Sequence, residues 1–280
     1  MSADPHVASS PSAARPVTPP VPWQVSARDL RLEFAGESGA APVRVLDGLN
    51  FDVPVGQFLA IVGPSGCGKS TLLRVLSGLI EPTAGWVRVA GEPAAATAHR
   101  VGFMFQRDTL LPWASVADNI RVGFELAGVP PAQARERLEA LLRFLRLDGF
   151  GEHRPHQISG GMRQRVALGR LLAYEPDIYL MDEPFGALDS QTKVLMGREL
   201  LRIWSAHQRT VIFVTHDIEE AVSLADRVIV LSSRPGRVRL DLSIDLERPR
   251  ERAALRKQAR FAEYTEQIWQ ALDLDPHETA

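Results

Sequence analysis

Apolar residues in this 280-residue chain fall into short runs whose period changes along its length, and each change predicts a different element. Residues 25–34 and 49–53 alternate or carry β-branched side chains, which predicts two strands divided by a Gly/Ala/Pro loop at 35–42. The unbroken run Phe58–Val62 reads as a strand, and the leucine-rich Lys69–Leu76 as a helix with Gly78 near its end. Residues 86–89 and 101–105 read as further strands. From 116 to 147 the period turns helical: Leu138, Leu141, Leu142 and Leu145 recur at i, i+3, i+4 and i+7, with Arg135, Glu136, Arg137 and Arg143 between them. Gly128 and the pair Pro130-Pro131 divide this stretch into two helices, and a third is expected from Ser159 through Leu172.

Residues 177–181 then return to a buried strand that ends in Asp182-Glu183. Helix (191–207), strand (210–214), helix (218–224) and strand (228–231) alternate after it, the pattern of a parallel sheet with covering helices. The fold class is therefore α/β, with an inserted helical lobe. After Pro235-Gly236 come an alternating stretch at 238–246 and a terminal helix with Phe261, Tyr264, Ile268 and Leu272 on one face. Packing on the core is the expected use of this tail, and a regulatory surface the alternative. Residues 1–22 are rich in Ser, Ala and Pro and lack a basic start followed by an apolar run, so disorder is expected there rather than a signal peptide.

Composition narrows the classes further. With 45% apolar and 24% charged residues the chain suits one large α/β core carrying an inserted piece. A net charge of −2 supplies no general pull toward nucleic acid or an anionic membrane surface. The single cysteine, Cys67, excludes an intramolecular disulfide and makes a reducing cytosol the simplest home. No apolar run approaches the roughly 20 residues needed to span a bilayer.

Five places carry candidate chemistry. Gly63, Pro64, Ser65, Gly66, Cys67, Gly68, Lys69, Ser70 and Thr71 follow a strand and open a helix. Such a turn gathers backbone N–H groups and the positive helix end around one spot that suits phosphate. Lys69 is placed to reach β- and γ-phosphates, and the Ser70 hydroxyl to hold Mg²⁺. Ser159, Gly160 and Gly161 open a second helix and make a second phosphate-competent N-terminus, although a simple capping turn is the commoner meaning of such a tripeptide. Asp182 and Glu183 end an apolar strand, where Asp182 suits Mg²⁺ and Glu183 suits the polarisation of attacking water. Gln106 follows another strand and offers an amide to Mg²⁺ or water; His216 ends the run at 210–214. Taken singly, that glutamine reads as surface and that histidine as structural.

In this order, the phosphate loop, Gln106, Ser159-Gly160-Gly161-Met162-Arg163-Gln164, Asp182-Glu183, Ala187-Leu188-Asp189 and His216 resemble the ATP-binding subunit of an ABC transporter, with Ile158 in place of the family's usual leucine. The resemblance implies a P-loop NTPase: a RecA-like core with an antiparallel β subdomain at 23–234, a helical subdomain inserted at about 107–172, and a C-terminal extension at 235–280. It further implies a head-to-tail homodimer, each ATP lying between one copy's phosphate loop and the other's Ser159, Gly160, Gly161, Met162 and Gln164. Phe34 would stack on adenine, Asp189 would communicate across the dimer, and His216 would hold the γ-phosphate and its attacking water.

The stretch Leu111-Pro112-Trp113 with Val116 and Asn119 is similar to the nitrate, sulfonate and taurine importer branch. That likeness implies two permease subunits, contacted near Trp113, an external substrate-binding protein, and a place at the cytoplasmic face of the inner membrane. Lobe core is the other meaning of Trp113. A soluble ABC ATPase acting on nucleic acid or ribosomes is the alternative function; the absence of a coiled-coil insertion, a second ATPase unit or a basic block argues against it.

Overall fold

The computed structural model describes residues 23–36 and 41–273. The disorder expected for 1–22, the middle of the expected loop at 35–42 and the last residues of the tail lie outside the described residues. An antiparallel sheet comes first, with strands β1 (Trp23–Phe34), β2 (Val43–Pro54), β4 (Ala84–Val89) and β5 (Glu92–Pro93) in the order β2-β1-β4-β5; β3 (Phe58–Val62) lies between β2 and β4 in sequence and belongs to a second sheet. Strand β2 starts at Val43 and not at 49, as alternation alone suggested. The irregular β1–β2 register accommodates the polar pair Asp47-Gly48, with Gly48 at φ 66° and Asp29 opposite it at φ 42°. Asp47 is used there: its carboxylate accepts from Arg237 at 3.0 Å, and that partner holds it below the usual carboxylate range.

The second sheet continues with β6 (Val101–Met104), β7 (Ile178–Asp182), β8 (Thr210–Val214), β9 (Arg227–Leu231) and β10 (Val238–Ser243), in the order β10-β9-β3-β8-β7-β6. Every neighbour pair from β9 to β6 is parallel, and β10 closes one edge antiparallel to β9. Strands β3, β7 and β8 are buried at every position, which explains why they read as continuous apolar runs. Since β3, β8, β7 and β6 run the same way side by side, the residues following them emerge along one edge. Those residues are the phosphate loop, the segment at His216, Glu183 and the segment at Gln106. Ligands of open α/β sheets bind at that edge.

Helices cover both faces. α1 (Lys69–Leu76) follows the phosphate loop and buries Leu72, Leu73, Val75 and Leu76 in the cluster shared by the two sheets. α2 (Val116–Leu126), α3 (Pro131–Phe144) and α4 (Gly160–Tyr174) form the helical lobe, with α2 packed along α4. Gly123 and Gly169 permit that close approach, since a Cβ at Gly123 would stand 2.2 Å from the Arg170 carbonyl oxygen. α5 (Ser190–His207) and α6 (Ile218–Leu224) follow β7 and β8. A short helix, α7 (Arg252–Leu255), and α8 (Ala259–Asp273) complete the chain. Phe261, Tyr264 and Ile268 of α8 are buried in the main core, against α6, β9 and β10, so the tail does pack on the core. Each such side chain contributes roughly 1.5–3 kcal/mol by leaving water.

Candidate active site

The phosphate loop owes its shape to two glycines. Gly66 and Gly68 stand at φ 77° and 105°, and Gly68 is the residue capping α1. A Cβ on Gly68 would meet Leu46 and Val45 side chains at 2.9 Å, so the loop lies hard against β2. Lys69 is buried, and its ammonium donates to the carbonyls of Gly63 (2.6 Å) and Pro64 (2.8 Å), which draws it across the loop. The Cys67 side chain is buried beneath the same turn, and burial pushes its thiol up, a setting for packing and not for redox chemistry. Ser65 and Gly66 are exposed; Pro64, Ser70 and Thr71 are half-buried.

At the end of β7, Asp182 is buried, and its Oδ1 has no hydrogen-bond partner. Burial pushes the Asp182 carboxyl above the ordinary aspartate range, and the neighbouring Ser70 hydroxyl draws it part of the way back. An orphaned carboxylate oxygen beside a hydroxyl is oxygen chemistry of the kind Mg²⁺ prefers. Among the described residues no group of three His, Cys, Asp or Glu is placed to hold a metal by itself.

Glu183 sits at φ 48°, a left-handed conformation that a non-glycine residue adopts at a cost of about 1 kcal/mol or more. Its backbone is held on both sides: the N–H donates to Val214 O at 2.9 Å, and the carbonyl accepts from Gln164 Nε2 at 2.9 Å. The turn aims the side chain at two neighbours. Gln106 Nε2 lies 3.4 Å from Glu183 Oε2, and His216 Nδ1 lies 3.3 Å from the same oxygen. Both partners are exposed. Three residues taken from the ends of β6, β7 and β8 thus meet at one carboxylate oxygen.

Among the described residues, none of the other sequence candidates is hydrogen-bonded to the Glu183 carboxylate. Ser159 caps α4, its Oγ accepting from Met162 N at 3.2 Å, and Gly160 and Gly161 follow at the helix start. Among the described residues no hydrogen bond joins 159–162 to the phosphate loop. Gln164 corrects its expected use: it is buried, its Nε2 donates to Glu183 O and its Oε1 accepts from Ala187 N at 2.9 Å. Its amide cross-links α4 to the turn after β7, with both its nitrogen and its oxygen engaged inside the chain. Asp189 caps α5, accepting from Gln191 N, Thr192 N and the Thr192 hydroxyl, which holds its carboxyl below the usual range. Phe34 ends β1 and is 44% exposed, so it is not a core residue.

Trp113 is 72% exposed, which rules out the lobe-core meaning. Its loop is shaped by the fully buried Asn119, whose amide donates to Leu111 O, Ala114 O and Ser115 O and accepts from Leu111 N at 2.8 Å. From α4, Arg163 pairs with Asp108 at 2.8 Å and Arg170 donates to Thr109 O at 3.1 Å. The segment joining Gln106 to Trp113 is therefore fastened to the helix that Ser159 caps. Sequence reading missed the parts played by Arg163 and Arg170; their recurrence within one helix of the lobe was the available signal.

Residues 46–186 match the ABC transporter family. An aliphatic sulfonates import ATP-binding protein of Rhizobium johnstonii is 45% identical over 248 residues, 87% of each chain. A nitrate import ATP-binding protein of Synechocystis is 41% identical over 245 residues, 86% of this chain and 91% of its own. Among solved structures, a dimeric post-hydrolysis state of an ATP-binding cassette bound to ADP and Pi superposes with a TM-score of 0.71 at 29% identity. It covers 80% of this chain and 100% of its own.

Proposed function

This chain belongs to the ABC transporter family, and we propose that it is the ATP-binding, ATP-hydrolysing subunit of an importer for small anions such as aliphatic sulfonates, nitrate or taurine. The meeting of Gln106 and His216 at Glu183 Oε2, beside the buried Asp182 and in the loop-bearing edge of the sheet, carries this reading.

Lys69 would exchange its two loop carbonyls for β- and γ-phosphate oxygens, trading neutral acceptors for charged ones. Ser70, Gln106 and Asp182 would hold Mg²⁺ brought with the nucleotide, and the ion would supply charge neutralisation at the phosphates. Glu183 accepts a proton from the attacking water, while His216 and Gln106 hold the carboxylate and the water in register. Phe34, exposed at the end of β1, offers a face for adenine.

The exposed start of α4 has no use within its own chain's phosphate loop. A second copy supplies one: Ser159, Gly160, Gly161 and Met162 of each protomer close over the nucleotide of the other, with Asp189 at the seam. Hydrolysis then removes the ligand that holds the closed form together. Trp113, raised on the loop that Asn119 shapes, presents an aromatic anchor to a permease helix, and its fastening to α4 links that contact to the nucleotide. No helix among the described residues is long and apolar enough to cross a membrane, so attachment at the cytoplasmic face would run through permeases, with an external binding protein choosing the substrate.

Uptake of labelled ethanesulfonate, taurine or nitrate into proteoliposomes holding this chain and its co-purifying permeases tests the reading. ATP-dependent uptake of one of them is expected. Hydrolysis that proceeds with no membrane partner and responds to nucleic acid or ribosomes instead would overturn it.

A further inference from the structure

The segment from Arg250 to Arg256 carries no nucleotide motif, yet it grips α6, the helix that follows His216, at both ends. At the carbonyl end, Arg250 is buried and its guanidinium donates to Ala225 O (2.6 Å) and Val222 O (3.4 Å), as well as to Ile244 O and Leu246 O in the connection after β10. At the amino end, Arg252 pairs with Glu219 at 2.9 Å and reaches Asp217 at 3.5 Å, and Arg256 pairs with the same Glu219 oxygen at 2.6 Å.

That amino end is the loop carrying His216. The residues flanking the histidine are closed into a ring: the buried Thr215 donates its hydroxyl to Glu220 Oε2 and accepts from Asp217 N at 3.0 Å, while Asp217 Oδ1 accepts from Glu220 N at 3.0 Å. Glu220 lines a cavity of about 180 Å³ between α5, α6 and residues 250–252. His216 itself is free of this ring, its side chain 59% exposed and facing Glu183. Its position is thus set by Thr215 and Asp217, and theirs by α6 and the arginines that hold it.

We propose that Arg252, acting through Asp217 and Glu219, is a positioning residue for His216, so that the seating of the C-terminal extension on α6 sets the rate of hydrolysis without setting nucleotide affinity. This rests on the assignment of His216 to the γ-phosphate. The separation of rate from affinity follows from the topology: the phosphate loop hangs between β3 and α1 and, among the described residues, shares no hydrogen bond with residues 250–256. A displaced partner of about 1 Å is enough to slow a reaction by up to about 100-fold.

In the full chain, Arg252→Ala and, separately, Glu219→Gln are compared with wild type for ATP turnover, nucleotide Kd and melting temperature. A fall in kcat of about 10- to 100-fold with unchanged Kd is expected for Arg252→Ala, a smaller fall for Glu219→Gln, and partial recovery for Arg252→Lys. Arg260→Ala removes an exposed pair with Asp245 in the same extension and leaves kcat unchanged. A wild-type kcat in Arg252→Ala overturns the proposal. So does a joint loss of kcat, Kd and melting temperature, which would mark Arg252 as structural only. If the wild-type chain does not hydrolyse ATP, or Glu183→Gln turns over normally, the reading of the site fails instead.

Discussion

His216 Nδ1 lies 3.3 Å from Glu183 Oε2, although the two residues close different strands. Parallel pairing of β7 with β8 places Asp182 opposite Val214, so the residues after each strand emerge side by side. The left-handed turn at Glu183 then swings its side chain toward the histidine. In the proposed role of general base, Glu183 would need such a partner to keep its carboxylate and a water aligned, and Gln106 approaches the same oxygen.

Glu183→Gln keeps the size of this side chain and its two neighbours but removes the proton acceptor. Turnover is expected to fall by roughly 10²–10⁴-fold with ATP affinity retained, and the variant should collect as an ATP-bound dimer. Phosphate release and size-exclusion chromatography with ATP check both halves. A monomer at saturating ATP would argue against the shared pocket.

Lys69→Ala deletes the cation that Gly63 O and Pro64 O hold in the loop. Loss of most ATP affinity is expected, because charge-assisted contacts to phosphate have no substitute there. Titration with a fluorescent nucleotide measures it, and an unaltered Kd would remove Lys69 from the phosphate site.

Trp113→Ala and Asn119→Ala should separate contact from support. Trp113 is 72% exposed, so its removal leaves stability within about 0.5 kcal/mol of wild type and basal hydrolysis intact, while transport in proteoliposomes is lost. Asn119 is fully buried and engages three carbonyls and one N–H, so its truncation destabilises by about 1–3 kcal/mol. Urea unfolding distinguishes the two; equal destabilisation would mean that Trp113 also supports the loop.

Glu220 makes stability depend on pH. Burial, opposed by the Thr215 hydroxyl, pushes its carboxyl up to about 6 from an ordinary 4.5. The folded chain therefore favours the protonated form, and the stabilisation this brings is full below pH 4.5 and lost as pH rises through 6. At pH 7 the ionised group weighs against the fold by about 2 kcal/mol relative to acid. Glu220→Gln, which keeps an acceptor for Thr215, should gain stability over wild type between pH 4.5 and 7 in urea titrations; a gap that narrows over that range would refute the buried charge.

The residues of the candidate site were largely legible in the amino-acid order because they fall in contiguous segments. A glycine-rich turn between a strand and a helix, and a carboxylate pair closing a five-residue apolar strand, each carry their meaning within about ten residues. The α/β class followed from the same local signals, since strands buried on both faces must be apolar throughout. Alternation failed at β2, where Asp47 and Gly48 look like a break and are instead an irregular register answered by Arg237.

Tertiary structure alone decided what depends on side chains far apart in sequence. Gln164, read as a ligand contact through the family resemblance, is buried and bonded to Glu183 O and Ala187 N. Trp113 could be core or surface until the helices of the lobe were packed and left it exposed. Arg250 reaches Val222 and Ala225 across the C-terminal turn, and no local period announces such a bond. Hydrophobic periodicity encodes which face of an element is buried. Which polar groups meet is settled only when packing brings distant faces together, since each buried donor must then find the acceptor that the fold leaves open.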